Sequence, residues 1–108
     1  MSSRLDADFI RASVLESDYL ISLHADLERL EDGIVVAELE KVLADCEVIE
    51  DYPDDPRGHS CLVVGYTSNL EPLHVVCGLN HQHAMFVITV YKPCLPKWVD
   101  ERTRRSES

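Results

Sequence analysis

Apolar residues recur along this chain at two spacings, and the change of spacing divides it into a helical half and a stranded half. Leu5, Phe9, Ala12 and Leu15 or Val14 fall near one line at helical spacing, which predicts a first helix over Leu5 to Glu16, ended by Ser17 and Asp18. Tyr19 to Leu23 is short and β-rich, a strand or an extended connector. His24 to Asp32 predicts a second helix with Leu27 and Leu30 inward, and Gly33 suits the position after its end. Val36, Leu39, Val42 and Leu43 form a stripe for a third helix over Val35 to Ala44. No Ser, Thr, Asp or Asn stands at its start, which costs on the order of 1 kcal/mol relative to a good cap.

The pattern then changes to short apolar runs. Cys46 to Tyr52 reads as a strand and Pro53 to Gly58 as a loop rich in Pro, Asp and Gly. His59 to Thr67, Pro72 to Leu79 and Met85 to Tyr91 follow, separated by Ser68 to Glu71 and Asn80 to His83. That spacing predicts an antiparallel β-meander. Pro93 and Pro96 end the last strand, because proline donates nothing to a ladder. Trp98 is expected to fold back and seal an edge of the core. The fold class is therefore α+β, with N-terminal helices packed on one face of a C-terminal antiparallel meander. One domain is expected over 1–108, with its core at about 5–99 and a flexible tail at 100–108.

Tight turns give an expected register. Centring the first hairpin between Asn69 and Leu70 sets Gly65 opposite His74. Centring the second between His81 and Gln82 sets His74 opposite Thr89. With side chains alternating between faces, Leu62, Val64, Tyr66, Leu73, Val75, Cys77, Phe86, Ile88 and Val90 make an apolar face for the helices. Val63, Gly65, His74, Val76, Val87, Thr89 and Tyr91 make the other. On that second face His74 is a candidate acid or base, and Tyr91 and Thr89 are candidate donors to a phosphate or a developing oxyanion. A solvated sheet face of mixed residues is the plainer reading of the same pattern.

Other candidates lie nearby in sequence. Glu47, Glu50 and Asp51 precede the loop, and one of them, with Glu50 the choice for the site, could orient a histidine. Acidic residues guarding an exposed edge are the alternative. His24 begins the second helix, either tied to backbone or part of a polar cluster. His81 and His83 have the spacing of a shared metal site without an evident third ligand. No glycine-rich phosphate loop, GxSxG, HExxH or Cys/His nucleophile spacing is present, and neither a metal nor another cofactor is expected.

The 108 residues carry 20 acidic and 10 basic side chains, a net charge of −10. Such a chain repels a phosphate backbone unless its cations cluster. Lys92, Lys97, Arg102, Arg104 and Arg105 do gather at the C-terminal end, as a solvated tail or a phosphate contact. No run approaches a membrane span, and Met1 to Asp8 holds no apolar segment of a signal peptide, so a cytoplasmic protein is expected. Cys46, Cys61, Cys77 and Cys94 form no CxxC pair and are expected as buried free thiols.

Several runs together resemble a known family. Glu47 to Asp55, Ser60 to Gly65, Pro72-Leu-His-Val-Val-Cys-Gly78, Ile88-Thr-Val-Tyr91 and Pro93 through Trp98 are similar to a small bacterial family of unknown function, often encoded beside zinc-ribbon antitoxins. His24-Ala25 and Glu28-Arg29 resemble its helical half. The resemblance implies a fold like the RelE and BrnT ribonuclease toxins, with helices on one face of a sheet and RNA on the other. It implies a toxin component that cleaves RNA without metal, with an antitoxin protein and RNA as partners. His74 would then be acid or base, with Tyr91 and Thr89 on the phosphate. Arg102, Arg104, Arg105 and Lys97 would meet the RNA backbone. The other function class is a non-catalytic acidic module that binds a basic partner protein.

Overall fold

Helices form where the sequence supplies caps and a buried stripe. The structure, a computed structural model, describes residues 5–93. Helix α1 (Ala7–Leu15) starts at Asp6, whose carboxylate accepts the Phe9 amide at 2.9 Å, and it buries Ile10 and Val14. Strand β1 (Tyr19–Ile21) follows. Helix α2 (Leu23–Glu31) begins at Ser22, whose hydroxyl accepts the Ala25 amide at 3.0 Å. Helix α3 (Val36–Ala44) has Val35 at its cap position and no side-chain cap bond, as its sequence predicts; Leu39, Val42 and Leu43 are buried. The strands are β2 (Glu47–Tyr52), β3 (Ser60–Tyr66), β4 (Pro72–Leu79) and β5 (Met85–Tyr91). The class is α+β.

The sheet has five strands in the order β1-β5-β4-β3-β2. The last four form the expected antiparallel meander, and β1 adds to the free edge of β5 in parallel, Tyr19 beside Met85 and Ile21 beside Val87. The short Tyr19 segment is thus a true strand, and the sheet is mixed. Tyr19 also donates to Glu40 of α3 at 2.5 Å, tying β1 to the helical layer.

The register differs from the expected one, and the turns give the reason. Each hairpin closes with a three-residue loop. Thr67 N–H donates to Glu71 O and Asn80 N–H to Ala84 O, with Leu70 and His83 at φ of 63° in the last loop position. Three-residue hairpins need one left-handed residue there, usually glycine. Leucine and histidine carry no such signal, so a shorter turn fits the sequence equally well. The one-residue difference turns β3 over. His74 pairs with Val64 rather than Gly65, and with Tyr91 rather than Thr89.

Cys61, Val63, Gly65, Leu73, Val75, Cys77, Val87 and Val90 accordingly face the helices, and the first, second and last five of these join Leu39, Val42 and Leu43 in the core. Leu62, Val64 and Tyr66, expected in that core, stand on the far face with His74 and Val76, where Leu62 and Val64 are nonetheless buried. Gly65 does not make room beside His74. It makes room for α3: a Cβ there would stand 2.5 Å from Val42 O and 2.6 Å from Val42 Cγ1.

In β5 an extra residue, Ile88, enters between the Val76–Thr89 and Cys77–Val87 pairs. The bulge resets the alternation. Val87 and Val90 both face the core, while Phe86, Ile88, Thr89 and Tyr91 face away from it. In α2 the expected orientation is also reversed. Leu27 and Leu30 are exposed, and Ala25 is the buried residue. Cys46, Cys61 and Cys77 are buried free thiols; burial pushes Cys46 up to about 11 and Cys61 up to about 12, which keeps both protonated and inert. Trp98, Cys94 and the proposed tail lie outside the described residues.

Two substitutions report on these constraints. Leu70→Gly is expected to raise stability by about 0.5–1 kcal/mol, because relief of the left-handed backbone outweighs the added freedom of the unfolded chain; a higher urea midpoint measures it. Gly65→Ala is expected to lower stability by about 2–3 kcal/mol, since helix backbone cannot yield to the new methyl as a side chain would; thermal melting of the variant against the parent reads it.

Candidate active site on the far face of the sheet

The site assembles around β5 from both sides. From β4, His74 Nδ1 lies 3.1 Å from the Tyr91 hydroxyl, and the two rings meet edge to face with centroids 5.1 Å apart. Direct cross-strand pairing produces this contact, because side chains of paired residues share a face. His74 has 0% of its surface exposed, whereas Tyr91 is half-buried. The imidazole is therefore covered, and of the pair only the phenol reaches solvent.

From the other side comes α2. Past Ile21 no strand among the described residues lies beside this edge of β5, and Ser22 and Glu28 take over its hydrogen bonds. Ser22 N–H donates to Val87 O at 2.9 Å, and Ser22 Oγ donates to Ile88 O at 3.0 Å. Six residues later, Glu28 Oε1 accepts the Val90 amide at 2.9 Å and the Thr89 hydroxyl. Its other oxygen, Oε2, lies 3.2 Å from His24 Nε2, one helical turn back. His24 is 70% exposed. A carboxylate thus holds a solvent-facing imidazole and a strand hydroxyl at once. Thr89 and Tyr91, two residues apart, stand about 7 Å apart along the strand.

The structure brings His74, Tyr91, Thr89 and His24 to one end of the sheet. It leaves Glu50 apart. Glu50 faces the same side but belongs to β2, opposite Leu62, where it accepts the Tyr52 hydroxyl. Two strand spacings put its backbone about 10 Å from that of β4. The carboxylate that orients a histidine in this region is Asp51, 2.6 Å from His59 Nε2, with His59 Nδ1 accepting the Leu5 amide at 3.4 Å. In the adjoining loop, hydrogen bonds from Arg57 hold Asp55 down at about 2. Lys97, Arg102, Arg104 and Arg105 lie outside the described residues.

Glu28 is the central residue that the sequence pattern does not single out. Its spacing of four from His24 is the available signal, and it acquires meaning only when α2 is set against β5. His81 and His83 are exposed in their turn. Among the described residues no three His, Cys, Asp or Glu side chains are grouped to hold a metal ion, and no helix is long and apolar enough to cross a membrane.

Three helices on a five-stranded mixed sheet, with a histidine-tyrosine pair on the far face, define a small α+β domain. The chain belongs to the family described as a domain of unknown function, DUF4258, whose model matches residues 21–92. That span runs from the end of β1 to just past β5 and holds every residue of the described site. No curated protein and no solved structure matches the chain.

The Glu28 contacts carry a measurable consequence. Glu28→Ala leaves the Val90 amide without its acceptor in a buried setting and is expected to lower stability by about 1–3 kcal/mol. Glu28→Gln keeps an acceptor oxygen and is expected to lose less. Urea unfolding of the two variants against the parent gives the comparison.

Proposed function

We propose that this chain is a metal-independent endoribonuclease of the RelE/BrnT toxin type, the toxin half of a toxin–antitoxin pair. The observation that carries the reading is the convergence on β5 of an exposed, carboxylate-held imidazole and a phenol backed by a second imidazole. In this reading His24, oriented by Glu28, removes the proton from an RNA 2′-hydroxyl. The freed oxygen attacks the adjacent phosphorus, the bond to the 5′-oxygen breaks, and a 2′,3′-cyclic phosphate forms. Tyr91 gives its proton to the leaving oxygen, and Thr89, whose hydroxyl donates to Glu28, holds the carboxylate that orients His24. His74, out of contact with solvent, positions Tyr91; the phenolate takes its proton back from water and the exposed His24 returns its proton to water, which completes the cycle. This assigns the acid–base role on the RNA to His24 and Tyr91, with His74 acting through the phenol. Lys97, Arg102, Arg104 and Arg105 supply the backbone cations.

The experiment is incubation of the purified chain with a synthetic single-stranded RNA in the presence of a metal chelator. Cleavage to cyclic-phosphate ends is expected, reduced about 10²–10⁴-fold by His24→Ala or by Tyr91→Phe. RNA that stays intact with the parent protein, or cleavage indifferent to both substitutions, would sink the proposal. A second reading, a non-catalytic acidic interaction module, is favoured by the net charge of −10 and by the complete burial of His74. It expects intact RNA and binding to a basic protein.

A further inference from the structure

Helix α2 carries its apolar stripe on the outside. Leu23, Leu27 and Leu30 stand at positions i, i+4 and i+7, so they form one line along the helix. They are 74%, 54% and 58% exposed. The helix meets the sheet with its opposite side, through buried Ala25 and through Glu28. The leucine pattern that would ordinarily mark a core-facing stripe is therefore not used by this chain's own core. A line of three exposed leucines is the feature by which one helix receives the apolar side of another.

The rim decides between occupants. Glu31 lies exposed along one side of the stripe and Asp26 along the other, with Asp32 exposed at the helix end. Its cations are few: Arg29 is already paired with Asp26 at 2.7 Å. A second copy laid across the stripe would set two acidic rims, each on a chain of net charge −10, against one another. A cationic helix meets leucines at its centre and carboxylates at its edges. We propose that the Leu23–Leu27–Leu30 stripe of α2 docks a basic amphipathic helix of a partner protein.

The surface works whether or not the chain cuts RNA. An inactive but binding protein would leave this inference standing, and an active but non-binding protein would leave the ribonuclease reading standing. The probe is a fluorescent synthetic helical peptide with leucines at i, i+4 and i+7 and lysines on its flanks, titrated with the full chain. A matched peptide with glutamates in place of the lysines serves as comparison. The lysine peptide is expected to bind and the glutamate peptide to fail. The double substitution Leu27→Gln and Leu30→Gln, at exposed positions that leave the charge untouched, is expected to weaken binding at least tenfold. Glu31→Lys is expected to weaken it severalfold while the circular dichroism of both variants stays that of the parent. Binding that ignores the leucine substitutions would reduce the effect to bulk charge and overturn the proposal. So would failure of both peptides, or a dimer in sedimentation that the double substitution turns into monomer.

Discussion

Strand β5 contains one residue more than β4 can match, and that residue, Ile88, determines what the far face of the sheet contains. Strict alternation from Val87 would send Thr89 and Tyr91 into the core and Val90 out of it. The bulge lets Val87 and Val90 both pack beneath the helices while Thr89 and Tyr91 turn to the side of His74. The pairing of His74 with Tyr91, the reach of Thr89 to Glu28, and the buried backbone between them all depend on this single interruption. Bulges re-aim side chains beside functional sites in this way.

The same edge shows how side chains can stand in for a strand. Beyond Ile21 no strand among the described residues pairs with this edge of β5, and an open edge invites other chains. Ser22 and Glu28 accept or donate the bonds that a sixth strand would otherwise make, and α2 covers the edge. Satisfying the Val90 amide with a carboxylate has a chemical by-product. The second oxygen of that carboxylate is left pointing to His24, so one residue both closes the sheet and orients an imidazole.

Much of the architecture is legible in the residues because period and punctuation agree. Pro72 to Leu79 and Met85 to Tyr91 are strands over those same bounds, and the uncapped start at Val35 is uncapped in the structure. What escapes is what no local pattern encodes. Leu70 and His83 occupy left-handed turn positions that glycine would have announced, so the face assignment of β3 cannot be read from its own alternation. Leu62 and Val64 look like core residues because they are apolar and buried, yet they belong to the far side. The pairing of His74 with Tyr91 on one face is accessible from period-two reasoning only because two departures, a longer loop and a bulge, offset each other. Glu28 is invisible until β1 and α2 are placed, since its partners lie about sixty residues further on.

That separation has a kinetic side. Strands β3, β4 and β5 are joined by two loops of three residues each, whereas β1 must find β5 across 66 residues of chain. Short loops close with little entropy to overcome, and distant segments pair late. The hairpins are therefore the elements expected to form first, with the β1–α2 segment docking afterwards. His24 and Glu28, two residues of the proposed site, thus sit on the segment that meets the sheet through its most sequence-distant contacts.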